Sequence, residues 1–593
     1  MMNSPQSGRS AIAPNASSNP SDSSPLLRDL SFPQKTAFWL VALLSGLLQA
    51  LASRFEIGAD SLSYLEIGQA YFRGDWKSAL NSYWSPLYSW LIAFPLQLLR
   101  IPPYWESTCI NLVNFAIYAF ALLSLEFLLN SLLRLFALRR AAPHTNTFLP
   151  PWAFRLIGYS LFLYSSLAWL GADYSSPDLL VAAIVMLDVA VLARIHTGGP
   201  ATANYAFLGL LLALGYLAKV VLVPLGLVFL FMSLFAGGFS RRTVPRFALA
   251  ALVFALGSAP FVYALSSAKG RFCYGDSGKH NYTRYIDGVN FSNYYQDLDP
   301  RAGSPLRPIK KLLADPPVYD IGEPFPASYP PWYDPTYWWQ GITPFWSLRS
   351  EISTFHQHLH FWYAVLTAQA EFVTSLFALL LLSRRVLLAA RHLGAEFFLW
   401  LPSVAACVGY SLLHVETRFL PGFLIVLWLC LFRAVPVPPQ KIYQRLVACV
   451  VLAVVCVVGL RTGVSGVVNF GRALHVRHTS WEVAQQLRRI GVLPGDRVAA
   501  IGFNVDAYWA HLAGVHIVAE LTETGAGAYW VSGSEVRSKV FQAFARSGAK
   551  AVICNRTPQY GVPSDWLPAG DSGFFLRPIP ANPPPPPTPP PVD

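Results

Sequence analysis

Apolar runs uninterrupted by polar positions recur along most of the chain. The first is 38–51. Others fall at 109–133, 153–171, 177–194, 204–218, 220–236, 247–266, 359–382, 397–413, 419–433 and 446–463. Crossing a bilayer takes roughly 20 apolar residues, and helices satisfy their own backbone hydrogen bonds in lipid. The runs are apolar on every face and lack the polar–apolar alternation of a membrane barrel. The pattern therefore predicts an all-α polytopic membrane protein with about eleven transmembrane helices. The segment 86–99 is also apolar, but it is short and contains Pro86 and Pro95. It reads as interfacial or re-entrant. No small-residue cleavage site follows 38–51, which favours an uncleaved signal anchor.

The polar stretches between these runs divide the chain. Residues 1–35 are rich in Ser, Pro and Asn and read as a disordered cytoplasmic tail. A transmembrane domain covers 36–465, with a first external loop at 53–108 and a large one at 267–358. The latter is crowded with Tyr and Trp. Residues 470–580 alternate helix and strand patterns: helices at 481–491 and 535–547, strands at 497–502, 515–521 and 549–554. This predicts a small extracytoplasmic α/β domain. Ile501-Gly502-Phe503 lacks the glycine spacing of a dinucleotide site. A Pro-rich tail, 581–593, ends the chain. No internal repeat is evident, which counts modestly against a secondary transporter.

Composition supports this picture. Of 593 residues, 54% are hydrophobic and 13% charged, with a mean hydropathy of +0.39. The net charge of +12 would suggest nucleic acid in a soluble protein. Here the basic residues fall largely in short loops, as the positive-inside rule requires, and no nucleic-acid motif is present. That distribution places the N-terminus in the cytoplasm; an odd number of spans then places the C-terminus outside. Arg54, Arg73 and Lys77 in the first external loop run against the rule. Of the seven cysteines, Cys273 and Cys554 fall in external regions. Nothing in the sequence brings them together, and no Cys/His spacing suggests zinc.

A few polar residues stand out by position. Asp60 follows the first span in Gly58-Ala59-Asp60, with Tyr64 four residues on, and Tyr88 closes Trp84-Ser85-Pro86-Leu87-Tyr88. A carboxylate beside the membrane surface can take a proton from a hydroxyl; it can equally be a solvated loop residue. Asp173 and Asp178 lie in a turn on the same side. They could orient a substrate or hold a divalent cation, although Pro177-Asp178 is also a good helix start. Lys219 interrupts an apolar stretch, and Arg418 follows one. Cations at the membrane edge suit a lipid phosphate. Arg418 could instead pair with Glu416. In the large loop, Trp332 and Tyr333 could stack on sugar faces or anchor the loop at the headgroups.

The ordered set of motifs resembles the GT-C superfamily of integral membrane glycosyltransferases. The bacterial branch of protein O-mannosyltransferase-like, ArnT-like and Rgt-like enzymes is the most similar. Gly58-Ala59-Asp60 with Tyr64 resembles the acidic first external loop. Trp84 to Tyr88 resembles a W/H-P-P-L-Y-like run, and Ser175-Ser176-Pro177-Asp178 the Pro-Asp that opens a later span. The stretch 209–219 resembles a G-x-x-x-G-x-x-x-K-like helix, and Arg418-Phe419-Leu420-Pro421 an R-Y-x-x-P motif. The resemblance implies sugar transfer from a polyprenyl-phosphate donor to an extracytoplasmic glycan, lipid or protein at a bacterial inner membrane. Asp60 would be the base, and Lys219 and Arg418 would contact the donor phosphate. Tyr64, Asp173, Asp178, Tyr88, Trp332 and Tyr333 would line the substrate site. Ser61 departs from the family, standing where protein O-mannosyltransferases carry a second acid. Ser85 also departs, at a position where His or Pro is common. No cofactor is implied with certainty; a divalent cation is possible. The alternative reading is a transporter or flippase of lipid-linked sugars.

Overall fold

The computed structural model of the chain describes residues 29–140, 148–171, 174–198, 201–289, 301, 303–305, 307, 309–321, 323, 326–334, 339–558 and 561–580. Most of the expected N-terminal tail, the Pro-rich end, Asp173 and parts of the large loop lie outside the described residues.

The protein is a multi-pass helical membrane protein. Among the described residues, six helices are long and apolar enough to cross a bilayer: Phe32–Ala52, Pro103–Leu135, Pro151–Leu170, Asp178–Gly198, Thr243–Lys269 and Lys441–Arg489. Two bent pairs pass the same test when each is taken together, Leu348–Ala368 with Ala370–Ser383 (74°) and Val386–Ala395 with Phe397–Leu413 (87°). Three apolar helices are shorter, Thr202–Ala218, Leu222–Gly237 and Pro421–Ala434. The run 359–382, read as one straight span, thus breaks at Gln369, which receives the Trp428 indole N–H at 2.7 Å.

Helix packing around the site depends on two glycines. A Cβ on Gly68 would lie 2.5 Å from the Ser89 carbonyl oxygen and 2.7 Å from the Ala93 Cβ. Its absence lets the helix Ala59–Phe72 lie directly on Pro86–Leu98. The segment 53–108 is therefore built around a packed helical pair. A Cβ on Gly422 would lie 2.6 Å from the Ala182 Cα. This close approach seats Pro421–Ala434 against Asp178–Gly198, so the turn carrying Arg418 meets the start of the Asp178 helix.

The strands expected at 497–502, 515–521 and 549–554 occur at Arg497–Gly502, His516–Thr522 and Ala551–Cys554. The first is central and runs parallel to both others. Phe575–Pro578 adds antiparallel to Ala551–Cys554, followed by Leu567–Pro568. At the opposite edge Val318–Asp320 pairs antiparallel with His516–Thr522, and Lys310–Leu313 pairs with Val318–Asp320. The seven-stranded sheet therefore includes two strands from the segment 267–358. The loop and the C-terminal segment share a sheet, which the sequence reading had treated as two separate regions.

Candidate functional site

Asp60 is the second residue of the helix Ala59–Phe72, which starts after an extended Gly58. A carboxylate there is favoured by the helix dipole. The Ser61 hydroxyl donates to the Ser175 carbonyl oxygen at 2.6 Å, which ties this helix start to the turn before Asp178. That turn follows a π-helical stretch, Ser165–Leu170, which ends at Gly171 with φ 67°. Single π turns often mark functional sites. Asp178 opens the helix Asp178–Gly198, and the Ser176 hydroxyl donates to its Oδ2 at 3.0 Å.

Two cations meet these acids. Lys219 lies at the break between Thr202–Ala218 and Leu222–Gly237. Its Nζ is 2.5 Å from Asp178 Oδ1 and sits 3.7 Å above the Phe419 ring. Arg418 lies in the 3-10 turn Thr417–Phe419. Its Nη1 donates to Asp60 Oδ2 at 3.0 Å and to the Tyr174 hydroxyl at 2.9 Å. Its Nε donates to Glu416 Oε2 at 2.6 Å and lies 3.8 Å from Asp178 Oδ2. Arg418 thus joins three carboxylates from three elements, which the planar guanidinium fork suits. Burial opposes its charge, but Asp178 and Asp60 outweigh that and raise its pKa. For Glu416, burial likewise favours the neutral acid. The His414 hydrogen bond and the Arg418 charge overcome this and bring its pKa down to about 2.

The cluster borders a cavity of about 1040 Å³ lined by Asp60, Tyr64, Asp178, Lys219, Trp332 and Arg418, among others. Tyr64 is buried and packs edge-on against Trp84 and Tyr88. Tyr88 and Tyr333, expected at the substrate, are instead behind the cavity wall. Tyr88 is fully buried and donates to Asn114 Oδ1 at 2.7 Å; Asn114 donates in turn to Ser175. Tyr333 donates to the Ser78 carbonyl oxygen at 2.5 Å. Both are large rings whose hydroxyls find partners inside the fold.

The sequence reading did not single out Arg271, Lys279 or Arg284, which also line the cavity. All lie in the large loop, where charge gave no periodic signal. Glu416 and Tyr174 were visible only as neighbours of Arg418 and Asp173. Among the described residues no group of three or more His, Cys, Asp or Glu side chains is arranged to hold a metal ion. Asp60, Asp178 and Glu416 are each engaged by Lys219 or Arg418.

No protein-family model and no curated protein sequence matches the chain. Solved structures do. ArnT from Cupriavidus metallidurans in the apo state aligns over 92% of this chain and 97% of its own, with TM-score 0.51 and 12% identity. The same protein bound to undecaprenyl phosphate aligns over 92% and 98%, with TM-score 0.52 and 12% identity. The Archaeoglobus fulgidus oligosaccharyltransferase with Zn and sulfate is more distant, covering 87% of this chain and 67% of its own at TM-score 0.45 and 12% identity. At such identity the likeness is one of fold, and the chain has a GT-C-like fold.

Proposed function

We propose that the protein is a membrane glycosyltransferase that moves a sugar from a polyprenyl-phosphate donor to an extracytoplasmic acceptor. The observation that carries this reading is the convergence of Asp60, Asp178, Lys219 and Arg418 at one cavity within an ArnT-like fold. The acceptor is a glycan, lipid or protein hydroxyl. The positive-inside count supports a cavity on the extracytoplasmic side of a bacterial inner membrane.

In the proposed reaction Asp60 takes the acceptor hydroxyl proton. The acceptor oxygen attacks the anomeric carbon from the face opposite the phosphate. The anomeric C–O bond breaks, and its electron pair leaves on the polyprenyl phosphate, so the transfer inverts the sugar. Arg418 and Lys219 stabilise the charge that develops on the phosphate, an effect greater in the transition state than in the ground state. Arg418 donates to Asp60 at 3.0 Å. A phosphate that draws Arg418 away also frees the Asp60 carboxylate to act as base. Donor binding and base activation are therefore coupled.

Membranes containing the protein, supplied with labelled polyprenyl-phosphate sugars, test this reading. Label transferred to an endogenous acceptor with release of polyprenyl phosphate is the expected result. Movement of labelled donor across the bilayer without transfer would replace the enzyme with a flippase.

A further inference from the structure

We propose that the helix Leu348–Ala368 lies in the surface of the bilayer, on the leaflet nearer the cavity, with one face among the lipid acyl chains and another in water. Its 21 residues are long enough for a crossing, but their chemistry does not suit one. Arg349, Glu351, His356, His358 and His360 all fall in it, and ionisable groups are costly in hydrocarbon.

Helical spacing sorts its residues into three faces. Thr354 and Val365 are buried against the bundle. On that side the Tyr282 hydroxyl donates to Glu351 Oε1 at 2.7 Å, His358 Nδ1 lies 2.7 Å from the Ser411 carbonyl oxygen, and the Trp362 indole N–H donates to the Ser411 hydroxyl at 2.7 Å. Leu348, Ile352, Phe355, Leu359, Tyr363 and Leu366 recur at every third or fourth position and form a second stripe, exposed along its whole length. Arg349, Ser353, His356, Gln357, His360 and Thr367 form the third face, also exposed. An exposed apolar stripe beside an exposed polar one fits a boundary between two solvents. Water alone would leave the apolar stripe hydrated, whereas a bilayer surface takes the apolar face below its headgroups and leaves the polar face in water.

The bend after the helix sets its direction. At Gln369 the chain turns by 74° into the apolar helix Ala370–Ser383, on which Phe377 and Leu381 are exposed. When that helix runs through the bilayer, its predecessor is turned most of the way into the membrane plane. Exposed apolar positions therefore continue on both sides of the bend. Phe345 and Trp346, just before the helix, are exposed as well, and aromatic rings favour the headgroup level. The bilayer surface then supports one wall of the cavity. Pro344, Trp346 and His414 line that cavity, and Ser411, gripped by His358 and Trp362, lies one helical turn before His414.

Wild-type protein in phosphatidylcholine vesicles tests this with a phosphatidylcholine that carries a diazirine near the glycerol end of one acyl chain. After photolysis, mass spectrometry should find adducts on Ile352, Phe355 and Leu359, and several-fold fewer on Ser353 and Gln357. The helix Thr243–Lys269, with Leu252 and Leu256 exposed, reports that the reagent reaches lipid-facing side chains. With that helix labelled, an unlabelled apolar stripe would overturn the proposal, as would equal labelling of Gln357 and Leu359. Nitroxide labels at Leu359→Cys and Gln357→Cys, in a variant without the native cysteines and with a wild-type unfolding midpoint, identify what covers the stripe. The label at 359 should be relaxed by oxygen and shielded from a water-soluble nickel chelate, and the label at 357 the reverse. Free access of nickel to 359 would put the stripe in water. Shielding of 359 from both reagents would put a second copy, or another part of the chain, on it. Either result would overturn the proposal.

Discussion

Asp60 and Glu66 stand on the same helix, Ala59–Phe72, yet their carboxylates have opposite surroundings. Asp60 borders the large cavity and shares Arg418 with Glu416 and Tyr174. Glu66 is enclosed. It accepts the Ser328 hydroxyl at 2.5 Å and backbone N–H at 3.1 Å, and lies 3.1 Å from His511 Nδ1. His511 Nε2 is 3.0 Å from Glu106 Oε2, and Glu106 also takes bonds from Gln69 and Tyr508. The second cluster joins the Asp60 helix, the start of Glu106–Arg140, the large loop and the C-terminal helix Tyr508–Ala513. It works as a staple. A carboxylate surrounded by fixed donors holds parts together, whereas one beside open volume can exchange partners. A carboxylate thus serves structure in the middle of the helix and, in the proposed reaction, chemistry at its start.

The comparison predicts that the two clusters fail in different ways. The largest effect is expected from His511→Ala, which leaves two buried carboxylates without their shared cation. Breaking a buried pair from one side costs about 3–5 kcal/mol. It should appear as a lower thermal midpoint in detergent and as new protease cuts within 497–554. Arg418→Gln comes next. It should reduce transfer by about 10²–10³-fold, the scale for removing one transition-state donor, with an unfolding midpoint close to wild type. A reverse outcome for either variant would break the division of roles.

A pH series sharpens it. Burial opposes a charge on His511, but Glu106 and Glu66 raise its pKa from 6.5 to about 10. A raised pKa means that the folded state holds the proton more tightly than the unfolded state. The staple's contribution is therefore complete below about pH 6.5 and is lost as pH rises through about 10. Wild-type protein should lose thermal stability over that interval. His511→Ala should show a smaller loss there, which unfolding scans at successive pH values would detect. Gly68→Ala should have the smallest effect. Its new methyl meets Ser89 and Ala93, and overpacking of this kind costs about 1–3 kcal/mol. Because it tilts the helix shared by both clusters, a modest fall in midpoint and in transfer together is expected.

The sequence made one of the two clusters visible. Asp60, Lys219 and Arg418 stand out because each is a charge beside or within an apolar run, and the structure brings all three to one cavity. Their pairing was not readable. Lys219 and Asp178 are 41 residues apart, and Arg418 and Asp60 are 358 apart. The staple gave no signal: Glu66 and His511 are 445 residues apart, and each looks like an ordinary polar residue on a short helix. The sheet shows the same limit. The strands Arg497–Gly502, His516–Thr522 and Ala551–Cys554 follow from local apolar runs, but Lys310–Leu313 and Val318–Asp320 are short and gain their place by pairing with distant chain. Pattern reports which residues form an element. Partners far along the chain decide what that element contacts.

The most direct measurement is the transfer rate and the unfolding midpoint of Asp60→Asn, taken on the same preparation with a labelled polyprenyl-phosphate sugar. The substitution keeps the shape of the side chain and removes the base. Transfer should fall by about 10²–10⁴-fold, with the midpoint near that of wild type. Undiminished transfer would contradict the assignment of Asp60 as the base. A large fall in midpoint would show that the open cluster, like the staple, is there to hold the fold together.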